Sequence, residues 1–312
     1  GGSRLVTGSR PVHTHLEKEL ANWLGREHVL VFPSGFQANL AGVIALSNRH
    51  TYVLADRLSH YSLLAGVKAS GALLQRYAHN DLQDLERYLK LNSDAETPKK
   101  TLVITESLFS MEGSSPPLKE IVELCEEYGA QLMLDEAHAL GVIGNEGRGL
   151  GYGISEPLTM ISGTFGKAFG SGGAFLASDS VTGDQLLQNS GAFRYTTALA
   201  PPLTAAALAA LKLIKGNPDW RDDLLNQSES CRTQLANAGW PRPPGHGPII
   251  SLVIGADQEA LDLQTQLETA GLLSMAIRPP TVPEGTARLR IVLRKDLPKD
   301  TLNKLIMVLK KP

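Results

Sequence analysis

Four short strings in this 312-residue chain carry side chains that could do covalent or acid–base chemistry. In Gly163-Thr164-Phe165-Gly166-Lys167-Ala168-Phe169-Gly170, a lysine stands among glycines and small residues just after an apolar run ending near Ser162. Desolvation disfavours an ammonium, so a lysine set there is expected to become a neutral amine that attacks a carbonyl. The plain alternative is a surface lysine on a flexible loop. A phosphate-binding P-loop fails, because Gly166-Lys167 is followed by Ala168 and lacks the earlier glycine at the required spacing. In Leu134-Asp135-Glu136-Ala137-His138, an acid follows another strand-like run, with a histidine three residues on. That pair suits a cofactor whose ring nitrogen must stay protonated. It also spells a helicase box, a match made coincidental by the missing P-loop, and a cap or surface pair is the third alternative. Pro33-Ser34-Gly35-Phe36-Gln37-Ala38-Asn39 leads from a strand into a helix, where exposed N–H groups and a glycine make an anion site. Asp56-Arg57-Leu58-Ser59-His60 puts a histidine just past a further strand. There the plain reading is a helix-capping Ser59 and a half-buried His60.

Taken together, these parts describe one site. A phosphate on the helix after Gly35, a ring nitrogen on Asp135, a histidine on the ring face and an imine-forming Lys167 match pyridoxal 5′-phosphate (PLP). That cofactor is an electron sink for a carbanion.

The elements that must hold these strings are legible as alternation. Val29–Phe32, 52–55, 102–105, 131–134, 158–162 and 173–177 read as buried strands, and residues 14–24, 37–46, 81–91 and 118–128 as amphipathic helices. Strand–helix alternation over the first 200 or so residues predicts an α/β fold, a mostly parallel sheet wrapped by helices. After Gly216-Asn217-Pro218-Asp219 the rhythm changes. A helix over 220–236, a strand over 249–254, a helix over 258–270, a strand over 289–293 and a closing helix from Lys299 predict a small α+β domain. The expected division is therefore 1–216 and 217–312. Lys plus Arg number 30 and Asp plus Glu 32, a balance with no basic field for nucleic acid or an anionic membrane. Cys125 and Cys231 stand far apart, which fits a reducing cytoplasm better than a disulfide scaffold or zinc ribbon. The longest apolar-looking run, 195–211, contains Pro201 and Pro202 and reads as Ala-rich helix packing rather than a membrane span. His13 and His15 lack metal-ligand spacing, so no metal is expected. Gly1-Gly2-Ser3-Arg4, with no initiator Met, suggests that a segment precedes this sequence.

Longer strings add a resemblance. Ala55-Asp56-Arg57-Leu58-Ser59-His60, Ala78-His79-Asn80-Asp81, Phe109-Ser110-Met111-Glu112-Gly113, Asp135-Glu136-Ala137-His138, Gly147-Arg148-Gly149 and Thr164-Phe165-Gly166-Lys167 are similar to motifs of the α-oxoamine synthase family, across nearly the whole chain. The run 276–290, with Arg278-Pro279-Pro280-Thr281, resembles most the members that join L-alanine to a pimeloyl thioester. The resemblance implies a fold-type I PLP-dependent transferase, a homodimer with shared active sites and small-molecule substrates. It makes Lys167 the imine lysine, Asp135 the partner of the pyridine nitrogen and His60 the residue stacked on the ring. His138 and Ser110 would contact the ring edge, and Gly35, Phe36 and Thr164 would surround the cofactor and its phosphate. Thr197 would reach the neighbouring subunit's phosphate, Arg290 would take the amino-acid carboxylate, and Thr281 would lie near the acyl donor. Glu136 and Ala139-Leu140 depart from the Asp-Asp-Ala-His-Gly-Thr run of some members. Sister activities with glycine or serine (glycine C-acetyltransferase, 5-aminolevulinate synthase, serine palmitoyltransferase, SPT) and a catalytically silent partner subunit are the rivals. The retained Lys167 argues against the last.

Overall fold

A computed structural model describes residues 1–311. The chain divides into two compact units, one of Gly1–Leu108 with Ser115–Gly216, the other of Phe109–Ser114 with the residues from Asn217 onward.

In the first unit the elements run α1 (Pro11–Leu24), β1 (His28–Phe32), α2 (Gly35–Leu46), β2 (Thr51–Asp56), α3 (Tyr61–Ser70), β3 (Leu73–Tyr77), α4 (Leu82–Ser93) and β4 (Lys100–Glu106). They continue through α5 (Leu118–Glu127), β5 (Gln131–Asp135), β6 (Leu158–Thr164), β7 (Ala174–Ser178), α6 (Ser180–Asn189), α7 (Gly191–Arg194) and α8 (Pro201–Gly216). The strands form one sheet in the order β1-β7-β6-β5-β4-β2-β3. All neighbours pair parallel except β7, which runs antiparallel to both β1 and β6. The expected mostly parallel α/β sheet is thus borne out.

Successive strand side chains point to opposite faces, and each face is buried by its own set of helices. Val29 and Val31 of β1 join α1, α4, α5 and α8 residues such as Leu16, Leu85, Ile121 and Leu211 on one face. Leu30 and Phe32 join Ala41 and Val43 of α2 and Leu63 and Val67 of α3 on the other. Each large apolar side chain buried this way contributes about 1.5–3 kcal/mol. Gly42 lets α2 lie this close: a Cβ there would come within 2.8 Å of both Met133 Cε and Met160 Sδ.

The second unit holds α9 (Pro218–Asn237), β8 (Ile249–Gly255), α10 (Asp257–Thr269), β9 (Met275–Ile277), β10 (Ala287–Val292) and α11 (Thr301–Leu309). Its sheet, β8-β10-β9, is antiparallel and packs Leu252, Leu289 and Ile291 against helix residues Cys231, Leu267 and Leu305. Among the described residues, no helix is long and apolar enough to cross a membrane.

Candidate active site

Parallel strands put their carboxyl ends on one edge of the sheet, where ligands of open α/β sheets bind. Asp56 ends β2, Glu106 ends β4 and Asp135 ends β5; Glu106 stands in register with Asp135, and Asp135 with Ser162 of β6. The three acids do different work. Asp56, fully buried, accepts hydrogen bonds from the N–H groups of Leu58 and Asn80 and lies 2.9 Å from His79 Nδ1, so it pins two turns. Glu106 Oε1 accepts from the backbone N–H of His60 at 2.5 Å. Asp135 faces the edge itself.

Asp135 is 5% exposed. Its Oδ1 accepts from Ala137 N at 2.9 Å and its Oδ2 from Asn39 Nδ2 at 2.7 Å. Burial pushes its carboxyl up from the ordinary range, and the Ala137 and Asn39 hydrogen bonds, with nearby His60, recover only part of that. A cation set against this carboxylate would restore the charge balance. Next to it, Glu136 is wholly buried; its Oε1 accepts from Gly151 N at 2.7 Å, and burial pushes its carboxyl up to about 7.

His60 is exposed and caps the start of α3, its Nδ1 accepting from Ser62 N at 3.3 Å and lying 2.7 Å from Ser62 Oγ. The plain expectation of a Ser59 cap and a half-buried His60 is therefore corrected. Ser59 Oγ is buried without a partner, because the chain turns one residue later and gives the capping position to the histidine. Across the site, Ser34 Oγ accepts from Gln37 N and caps α2, leaving Gly35 and Phe36 to open the helix with N–H groups that have no intrahelical acceptor. A Cβ on Gly35 would lie 3.8 Å from Thr164 Oγ1, so the end of β6 approaches the start of α2. Thr164 Oγ1 donates to Gly173 O and accepts from Gly166 N, which shapes the loop that carries Lys167.

That loop is anchored by the buried rings of Phe165 and Phe169, 5.4 Å apart. Lys167 itself is exposed. The expected desolvation of its amine is not met within the chain, because Gly166, Ala168 and Gly170 offer at most a methyl group to cover it. His138 is half-buried in the turn after β5, and Phe36 is exposed, its ring 6.3 Å from that of Tyr61. Thr197 is exposed, bridges to Ser3 and lines an open cavity of about 470 Å³ with Leu5, Val6 and residues 194–196.

Sequence reasoning missed Asn39, Ser62, Glu106 and Glu136 as parts of the site. Asn39 stood inside a singled-out motif, but its partners lie 23 and 96 residues away. The donor set fits PLP: helix N–H groups for a phosphate, a buried carboxylate for a protonated ring nitrogen, a free amine for an aldehyde. Asn39 Oδ1, buried and unpartnered beside Asp135, marks the same place as built for polar company.

In the second unit, Arg290 Nε donates to Ser110 O at 2.6 Å, and burial pulls its guanidinium below the ordinary range. Arg288 pairs with Glu112 at 3.3 Å. Thr281 is exposed in the loop before β10, its N–H on Arg278 O.

Comparison with known proteins agrees with this geometry. The family model of class I and II aminotransferases matches residues 1–309. An 8-amino-7-oxononanoate synthase from Alkalilimnicola ehrlichii is 42% identical over 296 residues, 94% of this chain and 75% of the relative. A solved structure of SPT with its PLP internal aldimine superposes with a TM-score of 0.93 at 26% identity, covering 99% of this chain and 78% of that one. The 8-amino-7-oxononanoate synthase of Francisella tularensis superposes at 0.85 and 27%, covering 97% and 87%. The chain has the fold of the fold-type I PLP transferases. It belongs to the class I and II aminotransferase family and, within it, to the α-oxoamine synthases that include the 8-amino-7-oxononanoate synthases.

Proposed function

We propose that this chain is a PLP-dependent acyltransferase that condenses L-alanine with a pimeloyl thioester. The products are 8-amino-7-oxononanoate, CO₂ and the free thiol, a step of biotin synthesis. The observation that carries the reading is the convergence, at one sheet edge, of an anion-ready helix start, a buried carboxylate and a lysine loop. The chain that holds them is 42% identical to a synthase of that name.

PLP, when bound, supplies the electron sink for the carbanion at the amino acid's α carbon. The remaining chemistry falls to this chain. Gly35, Phe36 and Thr164 would hold the phosphate, Asp135 would keep the ring nitrogen protonated, and His138 and Ser110 would address the ring edge. Lys167 would hold the cofactor through its aldehyde, and its amine would carry the proton at the α carbon. His60 would border the ring and donate to the thioester carbonyl oxygen as charge develops there. Arg290 receives the amino-acid carboxylate in a bidentate grip, and Thr281 borders the acyl donor.

A homodimer with shared sites belongs to this reading, Thr197 serving the partner's phosphate. Lys167, His60, Phe36 and Thr197 are all exposed in the single chain, whereas this chemistry needs water kept out. Cytoplasmic residence is supported by Cys125 and Cys231, both free and buried.

The test is to incubate the full chain with PLP, either pimeloyl-CoA or palmitoyl-CoA, and each of alanine, glycine and serine, and to measure free thiol and CO₂. Release of both with alanine in at least tenfold excess over the others is expected. The likeness to SPT makes serine with a longer acyl donor the second reading, and preference for serine would establish it. No release with any pair would mark a silent subunit.

A further inference from the structure

Three hydrogen bonds join His60 to Asp135 without a gap. Ser62 Oγ lies 2.7 Å from His60 Nδ1, Asn39 Nδ2 lies 2.9 Å from the same hydroxyl, and Asn39 Nδ2 lies 2.7 Å from Asp135 Oδ2. Counting donors fixes every direction. The backbone N–H of Ser62, 3.3 Å from Nδ1, can only donate, so Nδ1 is the nitrogen without a proton. The Asn39 side chain must turn its NH₂ to Asp135, since its carbonyl there would set acceptor against acceptor. That NH₂ has two hydrogens, one for the carboxylate and one for Ser62 Oγ. The serine oxygen is then an acceptor from Asn39, and its single proton goes to Nδ1. A neutral His60 can carry its ring proton only on Nε2.

We propose that Ser62 and Asn39 are positioning residues that hold His60 as its Nε2–H tautomer and tie its ring to the Asp135 carboxylate. The donor offered to the substrate carbonyl and the acceptor offered to the ring nitrogen are thereby set by one network. This deepens the reading above and rests on it for what the two ends serve; the network itself rests on the distances. Ser62 is 0% exposed and Asn39 5%, on two helices that could pack with apolar side chains there instead. Burying the amide leaves Asn39 Oδ1 unpartnered, a cost that makes sense where both N–H bonds are needed. Asn39 donates to Ser62 Oγ while that hydroxyl donates to Nδ1, so these two bonds run head to tail and each strengthens the other.

The experiment is a long-range ¹H–¹⁵N spectrum of the imidazole rings in the full chain, labelled on histidine. It is recorded with and without PLP at a pH where His60 is neutral, and His60 is assigned by its loss in His60→Asn. Protonated Nε2 and bare Nδ1 are expected. In Ser62→Ala the ratio of Nε2–H to Nδ1–H should fall roughly tenfold, the effect of one lost hydrogen bond. Ser62→Thr, which keeps the hydroxyl, should restore it, and Asn39→Leu should move it the same way by less. A wild-type ring protonated on Nδ1, or identical spectra for wild type and Ser62→Ala, overturns the proposal. The wild-type spectrum decides alone if the variants do not fold. Failure of the wild-type chain to form a borohydride-reducible PLP adduct would instead sink the proposed function and leave the tautomer result standing.

Discussion

Replacing Glu136 by glutamine isolates what one buried carboxyl does to the stability of this site. Glu136 is fully buried beside Asp135, and among the described residues no lysine or arginine pairs with it. Desolvation pushes its carboxyl from an ordinary 4.5 to about 7, against the pull of the hydrogen bond from Gly151 N–H. The folded state therefore keeps a proton that the unfolded chain sheds above about pH 4.5. Stability from this group is complete below 4.5 and is lost as pH rises through about 7. At about 1.4 kcal/mol per pH unit, the full loss is about 3 kcal/mol. Glu136→Gln keeps the volume and the acceptor for Gly151 N–H but has no proton to lose. Its melting point should meet the wild type's near pH 4.5. By pH 8.5 it should exceed it by roughly 6–12 °C, at about 2–4 °C per kcal/mol for a unit of this size. Paired scanning calorimetry at the two pH values reads the difference, and charges elsewhere cancel between the variants. A gap that does not open with pH, or a glutamine variant less stable at pH 8.5, would refute the assignment of Glu136 as a buried, late-titrating acid.

Three further outcomes follow from the geometry. Gly149 has φ +82° and a Cβ there would stand 2.3 Å from Glu136 Oε2, so Gly149→Ala should cost more than about 2 kcal/mol in denaturant unfolding. An unchanged midpoint would contradict that contact. Arg290→Lys loses the bidentate fork and should raise KM for alanine at least tenfold while the PLP absorbance of the loaded enzyme stays put; an unchanged KM removes Arg290 from the carboxylate site. Sedimentation equilibrium at micromolar concentration should give twice the chain mass of 33.5 kDa, and a monomer would contradict the shared-site reading.

Strands such as Leu102–Thr105 were legible because burial on both faces demands unbroken apolar residues, a pattern that needs no partner to be recognised. β3, Leu-Leu-Gln-Arg-Tyr, escaped notice because it lies at the sheet edge and is mostly exposed, so nothing forces its composition. The antiparallel direction of β7 is likewise invisible locally, since a buried strand reads the same both ways. Lys167 shows where local reasoning stops: it is exposed in the single chain, where its glycine and alanine neighbours are too small to cover it. Asp135 and His60 could be picked out by residue type at strand ends. Asn39 and Ser62, which join them, required the packing of α2 on α3 and on the end of β5. Phe109–Ser114 lies mid-chain yet groups with the second unit, where Ser110 and Glu112 meet Arg290 and Arg288, contacts some 180 residues distant in sequence.

The most direct trial of the account is to locate the bond itself. The full chain is mixed with PLP, reduced with borohydride and digested, and the peptide carrying the pyridoxyl group is sequenced by mass spectrometry. The account predicts a single modified site, Lys167, lost in Lys167→Ala while the fold survives, as suits an exposed side chain. A pyridoxyl group on any other lysine, or none at all, would contradict it.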